Sequence, residues 1–121
     1  MIDICKVLEI LNSGKYEKIE EYSSRVCSAL GYTLTLKEGG IIEITQVITS
    51  GISYRISLFI PNEKRCIKSW TFEHRISCSR TTSKDPLYSE ISAAFNNLYD
   101  EYSKKRTDEY SKYFPQEMFS K

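Results

Sequence analysis

Apolar and polar residues alternate most cleanly over 52–60. Ile52, Tyr54, Ile56, Leu58 and Ile60 share one parity, and Ser53, Arg55 and Ser57 share the other. Successive side chains of a strand point to opposite faces, so the pattern predicts a half-buried β-strand. Only Phe59 breaks it. The same alternation predicts three more strands. Residues 32–37 turn Tyr32, Leu34 and Leu36 inward, and residues 41–49 turn Ile42, Ile44 and Ile48 inward, with Gln46 the odd member. The last strand, 66–77, carries Cys66, Trp70, Phe72, His74 and Ile76 on its inner parity, with Cys78 just beyond.

Turn lengths then set the register, because a one-residue slip would turn a whole strand inside out. Three-residue loops at 49–51 and 38–40 place Ile48 opposite Ile52 and Leu36 opposite Ile42. They also put Gly51 and Gly40 where such turns favour a positive φ. The longer turn at 61–65 places Ile60 opposite Cys66, Tyr54 opposite Phe72 and Ile56 opposite Trp70.

Helical periods flank the strands. Over 3–12, Ile4, Val7, Leu8 and Leu11 form a stripe that Asp3 can cap and Asn12-Ser13-Gly14 can stop. Over 15–30, Tyr16, Ile19, Tyr22, Val26, Cys27 and Leu30 fit a second helix, with Gly31 as its left-handed end. After the polar linker 79–84, Asp85 and Pro86 predict the start of a long helix. Leu87, Ile91, Ala94, Phe95, Leu98 and Tyr102 are its apolar face. A helix over 86–113 would be roughly 40 Å long. Four strands make a sheet only ~15–20 Å wide, so the far half of the helix should outreach it. The expectation is one α+β domain over 1–121: a helical hairpin (1–31), a four-stranded antiparallel meander (32–79), a C-terminal helix packed on one face (85–114) and a tail (115–121).

Composition narrows the classes. A formal charge of +1 on 121 residues argues against a nucleic-acid mimic and against a wholly basic surface. No apolar run approaches the ~20 residues of a transmembrane helix, and the first residues lack the features of a secretory leader. A soluble, cytoplasmic protein is expected, without membrane contact, and its four cysteines, Cys5, Cys27, Cys66 and Cys78, are expected to be free, small, buried residues.

Little in the sequence points to chemistry. His74 is the single histidine and has no nucleophile motif beside it, so a partly buried structural role is expected. Cys66 and Cys78 stand roughly 40 Å apart at strand rise, too far to share a zinc ion. With no Gly-rich phosphate loop and no patterned carboxylate pair, neither catalysis, a cofactor nor a metal is expected. Residues 64–84 carry Lys64, Arg65, Lys68, Arg75, Arg80 and Lys84 against Glu73 alone, a net +5. Nucleic-acid phosphate is one reading of that run. An edge strand protected by cations is the other.

The tail is the most informative stretch. Tyr102, Arg106, Tyr110 and Tyr113 recur at three- and four-residue steps, followed by Phe114 and Phe119. Interfaces favour tyrosine and arginine, so these six residues are the candidate partner-binding set. The competing account docks the stripe on the N-terminal helix, against Ile4, Leu8 and Leu11. The expected function is a non-enzymatic protein-binding module, a small adaptor or inhibitor whose partner is a target protein or a second copy. A phage or mobile-element antagonist of a host protein would suit that size. Nucleic-acid binding through 64–84 is the alternative.

Overall fold

The computed structural model describes residues 2–24, 28–49, 51–63, 65–77, 80–82 and 87–118. The first helix, α1 (Ile4–Ser13), forms as its pattern directs. Asp3 accepts a hydrogen bond from the Cys5 N–H at 2.9 Å, and Gly14 closes the helix at φ +70°. Val7, Leu8 and Leu11 are its buried face.

The expected second helix over 15–30 is instead strand, and the N-terminal helical hairpin does not exist. β1 (Lys18–Ser24) and β2 (Ala29–Thr35) pair antiparallel, with Tyr22 opposite Gly31. Two features of β1 hide its alternation. Its inward residues are Ile19 and Glu21, so a carboxylate interrupts the apolar parity. Its aromatic residue, Tyr22, lies on the outer face, where its hydroxyl meets Glu43 and Thr45. Gly31 is therefore not a helix cap. A Cβ there would stand 2.3 Å from Tyr22 Cζ, so the missing side chain is what lets the ring cross the strand.

β3 (Ile41–Ile48), β4 (Ile52–Phe59) and β5 (Cys66–Ser77) continue the meander. The antiparallel sheet thus has five strands where four were expected. A three-residue strand, β6 (Arg80–Thr82), adds to the end of β5 in the order β1-β2-β3-β4-β5-β6. Ile48 opposes Ile52, Tyr54 opposes Phe72, Ile56 opposes Trp70 and His74 opposes Ile52, all as parity requires.

Two turns differ by an even step or a bulge, which spares the faces. Leu34, not Leu36, opposes Ile42. The loop is Lys37-Glu38-Gly39, closed by the Leu36 N–H on the Gly40 carbonyl at 2.9 Å, and the positive φ of +101° falls on Gly39 rather than Gly40. A register shift at Leu58/Phe59 sets Phe59, not Ile60, opposite Cys66. The φ of Gly51 depends on Ser50, which lies outside the described residues.

The long helix, α2, runs Tyr88–Tyr110 and ends before the expected 114. Leu87 stands at its N-cap; Asp85 and Pro86, the expected start, lie outside the described residues. Its Ile91, Ala94, Phe95 and Leu98 pack with Val7, Leu8 and Leu11 of α1 on one face of the sheet, against Tyr32, Leu34, Ile42, Ile44, Tyr54, Ile56, Leu58 and Phe72. The strand ends escape this cover. Ile48, Ile52 and Ile60 are exposed despite their inward parity, and Trp70 is only partly buried. Cys5 and Cys66 are free but exposed, not buried; Cys27 and Cys78 lie outside the described residues. No helix among the described residues is long and apolar enough to cross a membrane.

Candidate protein interface at the end of the long helix

Successive turns of α2 are fixed to β4, β2 and β1 in turn. The Tyr88 hydroxyl donates to the Ile52 carbonyl of β4 at 2.8 Å, and Ser92 Oγ lies 3.1 Å from the Tyr54 hydroxyl. Phe95 sits between Tyr32 and Tyr54, its ring centroid 5.4 and 5.6 Å from theirs. Tyr102 reaches Tyr32 of β2 at 5.8 Å between centroids. Arg106 pairs with Glu21 of β1 and lies 5.3 Å from the Tyr102 ring centroid. The helix thus runs diagonally from β4 to β1, the last strand on that side of the sheet.

Glu21 is the end-post of this crossing. Its carboxylate accepts hydrogen bonds from Arg106 and, at 2.8 Å, from the Tyr32 hydroxyl. One turn earlier, Tyr16 donates to Glu101 at 2.9 Å. Burial raises the phenols of both Tyr16 and Tyr32 to about 12; the Glu101 bond adds to the first, and Tyr99, Tyr102 and Asp100 add to the second. An unfolded tyrosine loses its proton near pH 10, whereas these two keep theirs until about pH 12. Their contribution is complete below pH 10 and is lost as pH rises toward 12. Urea midpoints measured from pH 9 to 11.5 should fall, and Tyr16→Phe and Tyr32→Phe should each flatten the decline. A slope unchanged by both substitutions would refute the assignment.

Beyond Arg106, four more residues advance α2 by roughly 6 Å, past β1. Tyr110 is there 47 % exposed. The chain then turns, with the Tyr113 N–H on the Tyr110 carbonyl at 2.9 Å, and a single 3-10 turn covers Gln116–Met118. Tyr113, Phe114 and Met118 are 75 %, 49 % and 63 % exposed. A cleft of about 560 Å³ lies at the junction, lined by Glu21, Tyr102, Lys105, Arg106, Glu109 and Tyr110.

The six-residue candidate set is therefore divided. Tyr102 and Arg106 bind the protein's own sheet. Tyr110, Tyr113 and Phe114 are exposed, and Phe119 lies outside the described residues. Met118, which follows the stripe in the sequence, joins the exposed group. Leu8 and Leu11 pack in the core, while Tyr110, Tyr113, Phe114 and Met118 are exposed.

The basic run is described in part. Arg65 and Lys68 are exposed, with Lys68 Nζ 5.7 Å from the Trp70 ring centroid. Arg75 and Arg80 lie on β5 and β6, in the paired segment where Arg75 opposes Thr82 and Ser77 opposes Arg80. Lys64 and Lys84 lie outside the described residues. Among the described residues, no three His, Cys, Asp or Glu side chains gather as a metal cage. Sequence reasoning missed Glu21 and Tyr16 as anchors of the helix. The available signal was the single inward carboxylate of β1, which needs a cation from elsewhere in the chain. No family model, no curated protein sequence and no solved structure matches this chain.

Proposed function

We propose that this chain is a non-enzymatic protein-binding module that takes its partner on the overhanging end of α2. One observation carries the reading: Tyr110, Tyr113, Phe114 and Met118, the last four large apolar residues among the described ones, are all exposed. Scattered exposed apolar residues are ordinary, but a contiguous patch with a charged rim has the anatomy of an interface core. Here Lys105, Glu109 and Lys112 supply the rim. Tyrosine and methionine suit the role, since both are rich in contact area and enriched at interfaces.

The test is the pair Tyr110→Ala and Tyr113→Ala, combined in one chain. Thermal unfolding is read beside association, both self-association by sedimentation and capture from an extract of the native host. Association should fall at least tenfold, with the unfolding midpoint moved by no more than a surface change allows, within about 0.5 kcal/mol. A large fall in midpoint with association intact would assign the stripe to the protein's own fold. Nucleic-acid binding is the second reading, favoured by the β5–β6 pairing that joins the segments of Arg75 and Arg80. Salt-sensitive retention of the monomer on heparin would support it.

A further inference from the structure

β1 ends the strand order, and no described strand pairs its outer edge. An open edge is a template for another strand. Here the edge lies beside an aromatic overhang, so an added strand would meet backbone hydrogen-bonding groups at β1 and apolar cover from α2 together. That combination is what strand addition uses.

The charges along β1 select the occupant. We propose that the added strand is β1 of a second copy, paired antiparallel about Ile19. This rests on the reading of the helix end as a protein interface and names its partner. Lys18 and Glu20 flank Ile19 on the outer face and already form a 2.7 Å ion pair, at 66 % and 61 % side-chain exposure. A twofold axis through Ile19 sets each Lys18 opposite the Glu20 of the second copy, so four charges alternate around the axis. Glu17 then faces the second copy's Glu21, whose charge Arg106 neutralises. Centring the axis on Lys18, Glu20 or Glu21 instead sets a charge against its own copy, which is unfavourable for directly opposed residues.

Helix placement agrees with this register. α2 crosses β1 at Glu21. An axis on Glu21 would bring both helices over one point. An axis on Ile19 separates the two crossings by four residues, roughly 13 Å along the strand. That clears the 8–10 Å between packed helices, and the aromatic ends meet beside the axis. A twofold axis perpendicular to the sheet keeps the helices of both copies on one face, with the two sheets joined across Lys18, Ile19 and Glu20 of each β1.

The experiment is a charge swap in the full chain, read by sedimentation equilibrium from low to high micromolar concentration. The wild type should dimerise. Lys18→Glu alone and Glu20→Lys alone should each weaken the dimer about tenfold or more, because each replaces two attractive pairs by two repulsive ones. Lys18→Glu combined with Glu20→Lys should restore it to within about threefold, since the opposed charges are again unlike. Circular dichroism of each variant confirms that it is folded. A wild type that stays monomeric overturns the inference and leaves the aromatic end for another protein. So does a dimer that dissociates with Tyr110→Ala plus Tyr113→Ala but ignores all three charge variants. A dimer that weakens in the single variants and is not rescued by the swap overturns the register about Ile19.

Discussion

Phe95→Ala is expected to destabilise this protein by roughly 3–5 kcal/mol, the range of large aromatic deletions from a packed core. Phe95 is 2 % exposed and lies where α2 crosses the middle of the sheet. Its ring touches Tyr32 of β2 and Tyr54 of β4, both buried, in tilted geometry at 5.4 and 5.6 Å. Tilted aromatic pairs add roughly 0.5–1.5 kcal/mol each beyond the area they bury. The helix and two strands meet at this ring, so the cavity left by alanine cannot close by moving one side chain. Tyr32 and Tyr54 are also held by hydrogen bonds at their far ends, to Glu21 and to Ser92 and Gln46, and cannot both collapse into the space. Trp70 is larger but only partly buried, at the flank of the core, so Trp70→Ala should cost less than Phe95→Ala. Urea titration of the two variants settles the order. A Phe95→Ala cost below about 1.5 kcal/mol, or an inverted order, would mean that α2 is not packed as described.

The legible parts of the fold were those where one face is mostly apolar. In β3, β4 and β5 the residues of inward parity are chiefly Ile, Leu, Tyr, Phe and Trp, with Gln46, Lys68 and His74 the exceptions, and parity fixed the pairings Tyr54–Phe72 and Ile56–Trp70. Loop length was less legible, because a two-residue slip keeps the parity. Leu36 opposite Ile42 and Leu34 opposite Ile42 bury the same side chains, and only the turn geometry at Gly39 separates them. β1 was illegible for a different reason. Its spacing of Ile19, Tyr22 and Val26 imitates a helix, while its own inward position is taken by Glu21. That carboxylate is tolerable on the inner face only because Arg106 arrives from a residue 85 positions away, a pairing no local pattern contains. The candidate site inherits this split. Helix length against the width of four strands sent the whole far half of the helix past the sheet, whereas β1 meets it as far as Arg106. That Tyr102 and Arg106 serve the protein's own fold, while Tyr110 and Tyr113 do not, required knowing that a fifth strand reaches under the helix.

Glu21→Ala is expected to cost roughly 2–3 kcal/mol, far more than an exposed charge deletion. The Glu21 side chain is 15 % exposed and serves two donors, the buried Tyr32 hydroxyl and the Arg106 guanidinium. Alanine leaves the phenol without its acceptor in the core and the guanidinium without its counter-charge. Arg106 is 33 % exposed, so water recovers part of the second loss, and the estimate sits below that for a fully buried pair. Arg106→Ala should cost less than Glu21→Ala, because the carboxylate keeps its bond from Tyr32. Glu21→Gln should fall between them: the amide oxygen can still accept from Tyr32, but the ion pair is gone. The two losses are separable by double-mutant cycles. Glu21→Ala with Arg106→Ala should show a coupling of about 1 kcal/mol or more, and Glu21→Ala with Tyr32→Phe a second, independent coupling. The consequence extends past stability, since Arg106 is the last residue that fixes α2 to the sheet before the overhang. Glu21→Ala should therefore speed amide exchange over residues 106–113 more than over 91–98, which the core holds. A cost within about 0.5 kcal/mol, or equal exchange rates in both halves of the helix, would show that Glu21 does not anchor it.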